Sequence, residues 1–159
     1  MADPRLMISV SGIRGRVGFG LDPVVVARYA AAFGAWARGH LPAHPIVLGR
    51  DSRVSGPMFH AVAGAALQAV GADVVDLGLT TTPTLQMAVE HHRAAGGLMI
   101  SASHNPIEWN ALKFIGADGL FLSARDGAEM RSVLDAGVPY VPWDVLGDVS
   151  GDRDAVERH

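Results

Sequence analysis

Short apolar runs alternate along the chain with stretches whose apolar residues recur every three or four positions. That alternation predicts an α/β layered domain. Strands are expected at LMISV (residues 6–10), IVLG (46–49), DVVDLG (73–78), GLMIS (97–101) and ALKFI (111–115). The first helix opens with Asp22 as N-cap and Pro23 at its first position, then sets Val26, Tyr29, Phe33 and Trp36 on one core-facing stripe. A second, from near Ser55, aligns Phe59, Val62, Ala66 and Ala69 and stops at Gly71. A third runs from Thr82 and Pro83 to about Ala94, and a fourth follows Ser123 with Met130, Val133 and Leu134 inward. After Gly137 the period lapses: VPYVPWDVLG, with two prolines, reads as an extended linker, and SGDRDAVERH as a helix beginning at Ser150 or Asp152. The expectation is one domain over residues 1–137, then a linker and the start of a second domain over 138–159.

Composition narrows the classes. A chain of 159 residues, 49% hydrophobic and 18% charged, can bury a core without staples, and it has no apolar run long enough for a membrane helix. The first ten residues lack the organisation of a secretory signal, and there is no cysteine for disulfides or thiolate metal sites, so a cytoplasmic location is expected. A net charge of -3 and the lack of a lysine or arginine cluster argue against nucleic acid as a partner.

The candidate chemistry lies where strands end. SASHNP follows the strand GLMIS, with small neighbours that leave Ser103 accessible and Asn105 and Pro106 set for a sharp turn. Ser103 and His104 are sequence neighbours whose side chains point apart, and no G-x-S-x-G elbow is present, so a hydrolase triad is disfavoured. His104 reads as a group facing substrate or phosphate. Lys113, ten residues beyond Ser103 in an apolar strand, either snorkels to solvent or serves proton transfer or phosphate charge. SGIRGRVG (11–18) and GRDSRVSG (49–56) read as glycine loops after the first two strands, suited to phosphate or to local turns and ion pairs. The pair His91 and His92 points too far apart on a helix for a metal site and reads as surface histidines.

Together SGIRGRVG, GRDSRVSG, TTTPT (80–84) and ISASHNPIEWNALKF resemble, over roughly residues 9–122, the N-terminal domain of the α-D-phosphohexomutases, which include phosphoglucomutase, phosphomannomutase and phosphoglucosamine mutase. The resemblance implies a three-layer α/β/α sandwich with a mixed central sheet. It also implies reversible interconversion of hexose 1-phosphate and hexose 6-phosphate through a phosphoserine and a hexose bisphosphate. Ser103 matches the phosphoserine, Lys113 the general acid/base, His104 the loop histidine near substrate, and Arg14 the arginine that contacts the phosphoserine. Arg50, Asp51, Arg53, Ser55, Asn105 and Asn110 match positions that support the site. Mg²⁺ is implied, held by a phosphoserine oxygen and by a D-G-D-x-D-R loop in a later domain, so that Ser103 is the one ligand expected from this chain and the remaining domains are expected partners. Asp152 and Asp154 lack that loop's glycine and read as first-turn helix acids. The SASHNP context leans toward phosphoglucosamine mutase-like members, while Trp109-Asn110-Ala111 stands where the family often has a glycine. The competing reading is a non-catalytic sugar-phosphate binding module.

Overall fold

The computed structural model describes residues 5–159; the first four residues of the stretch read for a signal lie outside them. Among the described residues eight strands form one sheet: β1 (Met7–Ser9), β2 (Gly12–Val17), β3 (Gly20–Leu21), β4 (Ile46–Arg50), β5 (Val74–Leu79), β6 (Gly96–Ile100), β7 (Trp109–Gly116) and β8 (Val149–Gly151). Their order is β1-β2-β7-β6-β4-β5-β8, with β3 beside β2. β6, β4, β5 and β8 run parallel, whereas β1–β2, β2–β7 and β6–β7 are antiparallel, so the sheet is mixed.

Strand alternation sorts the core into two layers. Ile46 and Leu48 of β4, Leu98 and Ile100 of β6, and Leu112 and Phe114 of β7 share one face with helices α1 (Pro23–His40), α2 (Gly56–Ala69) and α4 (Ala124–Ala136). Val47, Val75, Met99 and Ile115 share the other with α3 (Thr82–His91) and the short α5 (Ala155–Arg158). The result is the α/β/α sandwich with a mixed sheet that the resemblance implied. The Phe33 ring stacks on Phe114 at 5.1 Å between centroids, joining α1 to the strand that carries Lys113. Among the described residues no helix is long and apolar enough to cross a membrane.

The helix starts follow from their caps. Asp22, Thr81 and Ser123 each accept a hydrogen bond from a first-turn backbone N–H, and Pro23 sits in the first turn of α1. Ser55 precedes α2 without such a bond: its backbone is already helical, with φ -78° and ψ -10°, and its hydroxyl accepts from Asn110. The third helix ends at His91, three residues short of expectation, where Arg93 turns left-handed with φ 49°.

Two expectations are corrected. SGIRGRVG is a strand, hairpinned to β1 through the pair Ser9 and Gly12, and not a glycine loop. Its alternation was hidden because Gly12 and Gly15 occupy buried positions without side chains. A Cβ at Gly12 would lie 2.2 Å from the Leu112 carbonyl oxygen, so glycine permits the close pairing of β2 with β7. The C-terminal residues begin with a strand, not a helix at Ser150 or Asp152: β8 pairs with β5, and α5 follows only at Ala155. Val141 N–H donates to Ala69 O and Gly147 N–H to Gln68 O, so the prolines of the linker run along the end of α2.

Candidate active site

The chain passes from β4 to β5 on one side and then jumps to β6 on the other, so the strand order reverses at β4. The crevice outside the carboxyl ends of β4 and β6 is the position where such sheets bind ligands. Residues 51–55 leave β4 there, and residues 101–106 leave β6. The antiparallel return of β7 sets Lys113 opposite Met99, close to that loop.

At the tip of the loop Ser103 is exposed and has φ 54°, a left-handed conformation that costs a residue with a Cβ about 1–2 kcal/mol. Several bonds hold it. Ser103 N–H donates to Ser101 Oγ at 3.1 Å, and Asn105 N–H donates to Ala102 O at 3.1 Å. Lys113 Nζ donates to Ser103 Oγ at 2.5 Å. Lys113 is half-buried, and burial lowers its pKa below the usual lysine value; the charge of Asp51 opposes the shift and that of Arg53 adds to it. The side chain therefore does not snorkel away into solvent.

The arginines of the site differ in what they hold. Arg53 Nη1 donates to Pro106 O and Trp109 O at 2.7 and 3.0 Å, and Nη2 to Ser103 O and Asn105 O at 2.8 and 2.6 Å. Its Nε lies 3.4 Å from Asp51 Oδ2, while Asp51 Oδ1 accepts the Arg53 backbone N–H at 3.0 Å. Arg50 Nη1 donates to Asp51 O at 3.1 Å. Arg14, on β2, reaches Asn105 Oδ1 at 3.4 Å and Met7 Sδ at 3.7 Å through separate nitrogens. Beside Arg14 and Lys113 opens a cleft of about 360 Å³, lined also by Met7, Ser9, Ser11 and Phe121.

Asn110 is fully buried beneath the loop: Nδ2 donates to Ser55 Oγ and Oδ1 accepts the Ala111 N–H, both at 2.8 Å. It thus ties β7 to the start of α2. His104 is exposed and has no hydrogen-bond partner among the described residues. The structure thus gathers Ser103, Lys113, Arg14, Arg53, Asp51, Asn105, Asn110 and Ser55 at one end of the sheet, with Arg50 behind Asp51 and His104 turned outward.

This chain matches a family described as phosphoglucomutase/phosphomannomutase, alpha/beta/alpha domain I, over residues 5–137. It belongs to that family. A phosphoglucosamine mutase of Synechococcus is 45% identical over 128 residues, covering 80% of this chain and 26% of the relative. One from Xanthomonas campestris is 39% identical over 157 residues, covering 98% of this chain and 35% of the relative. A crystal structure of a phosphoglucomutase/phosphomannomutase family protein from Burkholderia thailandensis superposes with a TM-score of 0.79 at 26% identity, over 96% of this chain and 35% of that one. The chain therefore spans about a quarter to a third of the length of these proteins, as a phosphohexomutase domain I.

Sequence reasoning missed four contacts away from the loop. His92, expected at the surface, is partly buried with Nε2 2.7 Å from Asp152 Oδ2, and His60 Nε2 lies 2.8 Å from Asp76 Oδ1. Asp152 also pairs with Arg158 and accepts the Asp154 N–H at 3.1 Å, so it caps the turn before α5 and does not sit within a helix. Asp154 stands at the N-cap of α5 with no side-chain cap bond.

Proposed function

We propose that the chain is the phosphoryl-carrying domain of a phosphohexomutase that interconverts hexose 1-phosphate and hexose 6-phosphate through phospho-Ser103 and a hexose bisphosphate. The observation that carries this reading is the exposed Ser103 hydroxyl, held at a left-handed tip with Lys113 Nζ at 2.5 Å. In the transfer step the Ser103 Oγ–P bond breaks as a bond forms from phosphorus to a sugar hydroxyl oxygen. Neutral Lys113 takes the hydroxyl proton and delivers one to the departing Oγ, and the reverse sequence recovers the second phosphate after the sugar turns over. A lysine of lowered pKa is suited to both directions. Because this chemistry needs position and charge neutralisation more than a triad, the fixed loop and the open Arg14 fork are the relevant assets. The relatives named above favour glucosamine phosphate as the sugar, and the remaining domains are the proposed partners reached through residues 138–159.

The family's Mg²⁺ finds too few donors among the described residues. Among the described residues no three of His, Cys, Asp or Glu converge on a metal site, and the carboxylate of Asp51 is engaged by Arg53. A hard octahedral cation needs more oxygen ligands than one phosphoserine supplies, so the other ligands are proposed to come from beyond these residues, and no step here depends on the ion.

The test uses the full-length protein that carries this chain. Incubation with glucose 1,6-bisphosphate is expected to add one phosphoryl group at Ser103 by intact mass and peptide mapping. Ser103→Ala is expected to abolish turnover of glucose, mannose and glucosamine phosphates in coupled assays. Full activity in the alanine variant would defeat the reading, whereas tight but unreactive binding of hexose phosphate would favour the binding module.

A further inference from the structure

Arg53 has the stereotyped look of a phosphate-binding arginine: it follows a strand end, lies in a glycine- and serine-bearing segment, and stands beside the reactive serine. Its hydrogen bonds exclude that role. A guanidinium has five N–H donors. The two on Nη1 go to Pro106 O and Trp109 O, and the two on Nη2 go to Ser103 O and Asn105 O. The fifth, on Nε, is buried, has no hydrogen-bond partner among the described residues and faces Asp51 at 3.4 Å. The side chain as a whole is only 10% exposed. Resting on the phosphoserine reading above, we infer that Arg53 is a positioning residue: its fork clamps four backbone carbonyls of the loop and holds Ser103 for in-line transfer, without touching a transferring phosphate.

The clamp has a reason to exist in the backbone. Ser103 carries a positive φ that a non-glycine residue leaves when unsupported, and its carbonyl is one of the four gripped. Arg53 is in turn anchored at both ends, by its own N–H on Asp51 Oδ1 and by the ion pair at Nε. The loop is therefore referenced to β4, the strand from which residues 51–53 emerge, and not only to its own strands β6 and β7. Arg14 differs: its two recorded contacts are long, to Asn105 and Met7, and leave donors for an anion.

Two roles for Arg53 separate in kinetics. Losing a phosphate ligand raises KM, whereas loosening the nucleophile lowers kcat with KM nearly kept. In the full-length protein Arg53→Lys retains the charge but cannot grip four carbonyls with one ammonium. We expect kcat to fall about 100-fold, with KM for hexose phosphate changed by less than about threefold. Hydrogen exchange of the amides in residues 103–109 should quicken while those of β4 and β6 keep their protection. In Arg53→Ala, added guanidinium at millimolar concentration should restore part of the lost rate and of the loop's protection, and ammonium should not. A raised KM with kcat retained, or loop exchange equal to wild type in both variants, overturns the clamp. If the lysine variant loses protection throughout the sheet, the guanidinium rescue of Arg53→Ala decides, and its failure counts against the inference. Should wild-type Ser103 never accept phosphate from glucose 1,6-bisphosphate, the mutase reading fails by itself, and the loop exchange still judges the clamp.

Discussion

Replacing Asn110 by alanine removes a side chain that is 0% exposed and bonded at both ends. Its Oδ1 is the acceptor for the buried Ala111 N–H, and an amide left without its partner in that setting costs about 1–3 kcal/mol. The Ser55 hydroxyl, half-buried, loses its donor but can turn toward solvent, which adds about 0.5–1.5 kcal/mol. The sum is about 1.5–4.5 kcal/mol, which at this chain length lowers the melting temperature by roughly 3–18 °C. Chemical denaturation of wild type, Asn110→Ala, Ser55→Ala and the double variant measures it as a cycle. Ser55→Ala alone should cost about 1 kcal/mol, and little of that should remain in the Asn110→Ala background, because the shared bond is already gone. An Asn110→Ala shift below about 0.5 kcal/mol, or full additivity in the cycle, would refute the claim that this bond joins β7 to the start of α2.

Two titrating groups give the further predictions. Burial lowers the Lys113 pKa, so its neutral form is reached at lower pH than for a free lysine, and the limb of kcat/KM governed by a basic group should rise below the usual lysine range; in Lys113→Arg that limb should vanish along with most of the activity. Folding stability shifts in the same sense: the penalty for burying the ammonium is full below the folded-state pKa and is lost as pH climbs to the unfolded value, so Lys113→Met should be relatively more stabilised at neutral than at alkaline pH in denaturant titrations. The Asp152 carboxyl is held well below the usual carboxylate range, first by its hydrogen bond from Arg158 and then by His92, with burial opposing. Its contribution is present above the unfolded-state pKa and fades as pH falls beneath it. Asp152→Asn should therefore quicken hydrogen exchange across β8 and α5 roughly tenfold at neutral pH, with β4 unchanged, and an unaltered segment would remove Asp152 as its fastening.

The parts of the fold legible in the letters were those whose side chains state their surroundings. The stripe Val26, Tyr29, Phe33 and Trp36 named its face, and Asp22 with Pro23 named a helix start, because apolar burial and caps both depend on side-chain type. Strand β2 escaped because two of its inward positions are glycines, whose contribution is the absence of a side chain, and β8 escaped because three exposed residues carry no period. The pairing of His92 with Asp152 joins positions 60 residues apart, which no local pattern encodes.

The site divides along the same line. Ser103 and Lys113 were visible as chemistry ten residues apart, and the antiparallel turn from β6 to β7 closes that separation to a hydrogen bond. The grip of Arg53 was not visible, since all four of its acceptors are main-chain carbonyls, which every residue possesses. It follows that the gripping partner is chemically constrained while the gripped positions are not constrained through those carbonyls. A lysine at Arg53 lacks the fork, but a substitution at exposed Pro106 or half-buried Trp109 keeps the acceptor as long as the turn survives. Reactive groups in this domain are thus written in side chains, whereas the precision with which they are held is written in backbone geometry and becomes readable only once the chain is folded.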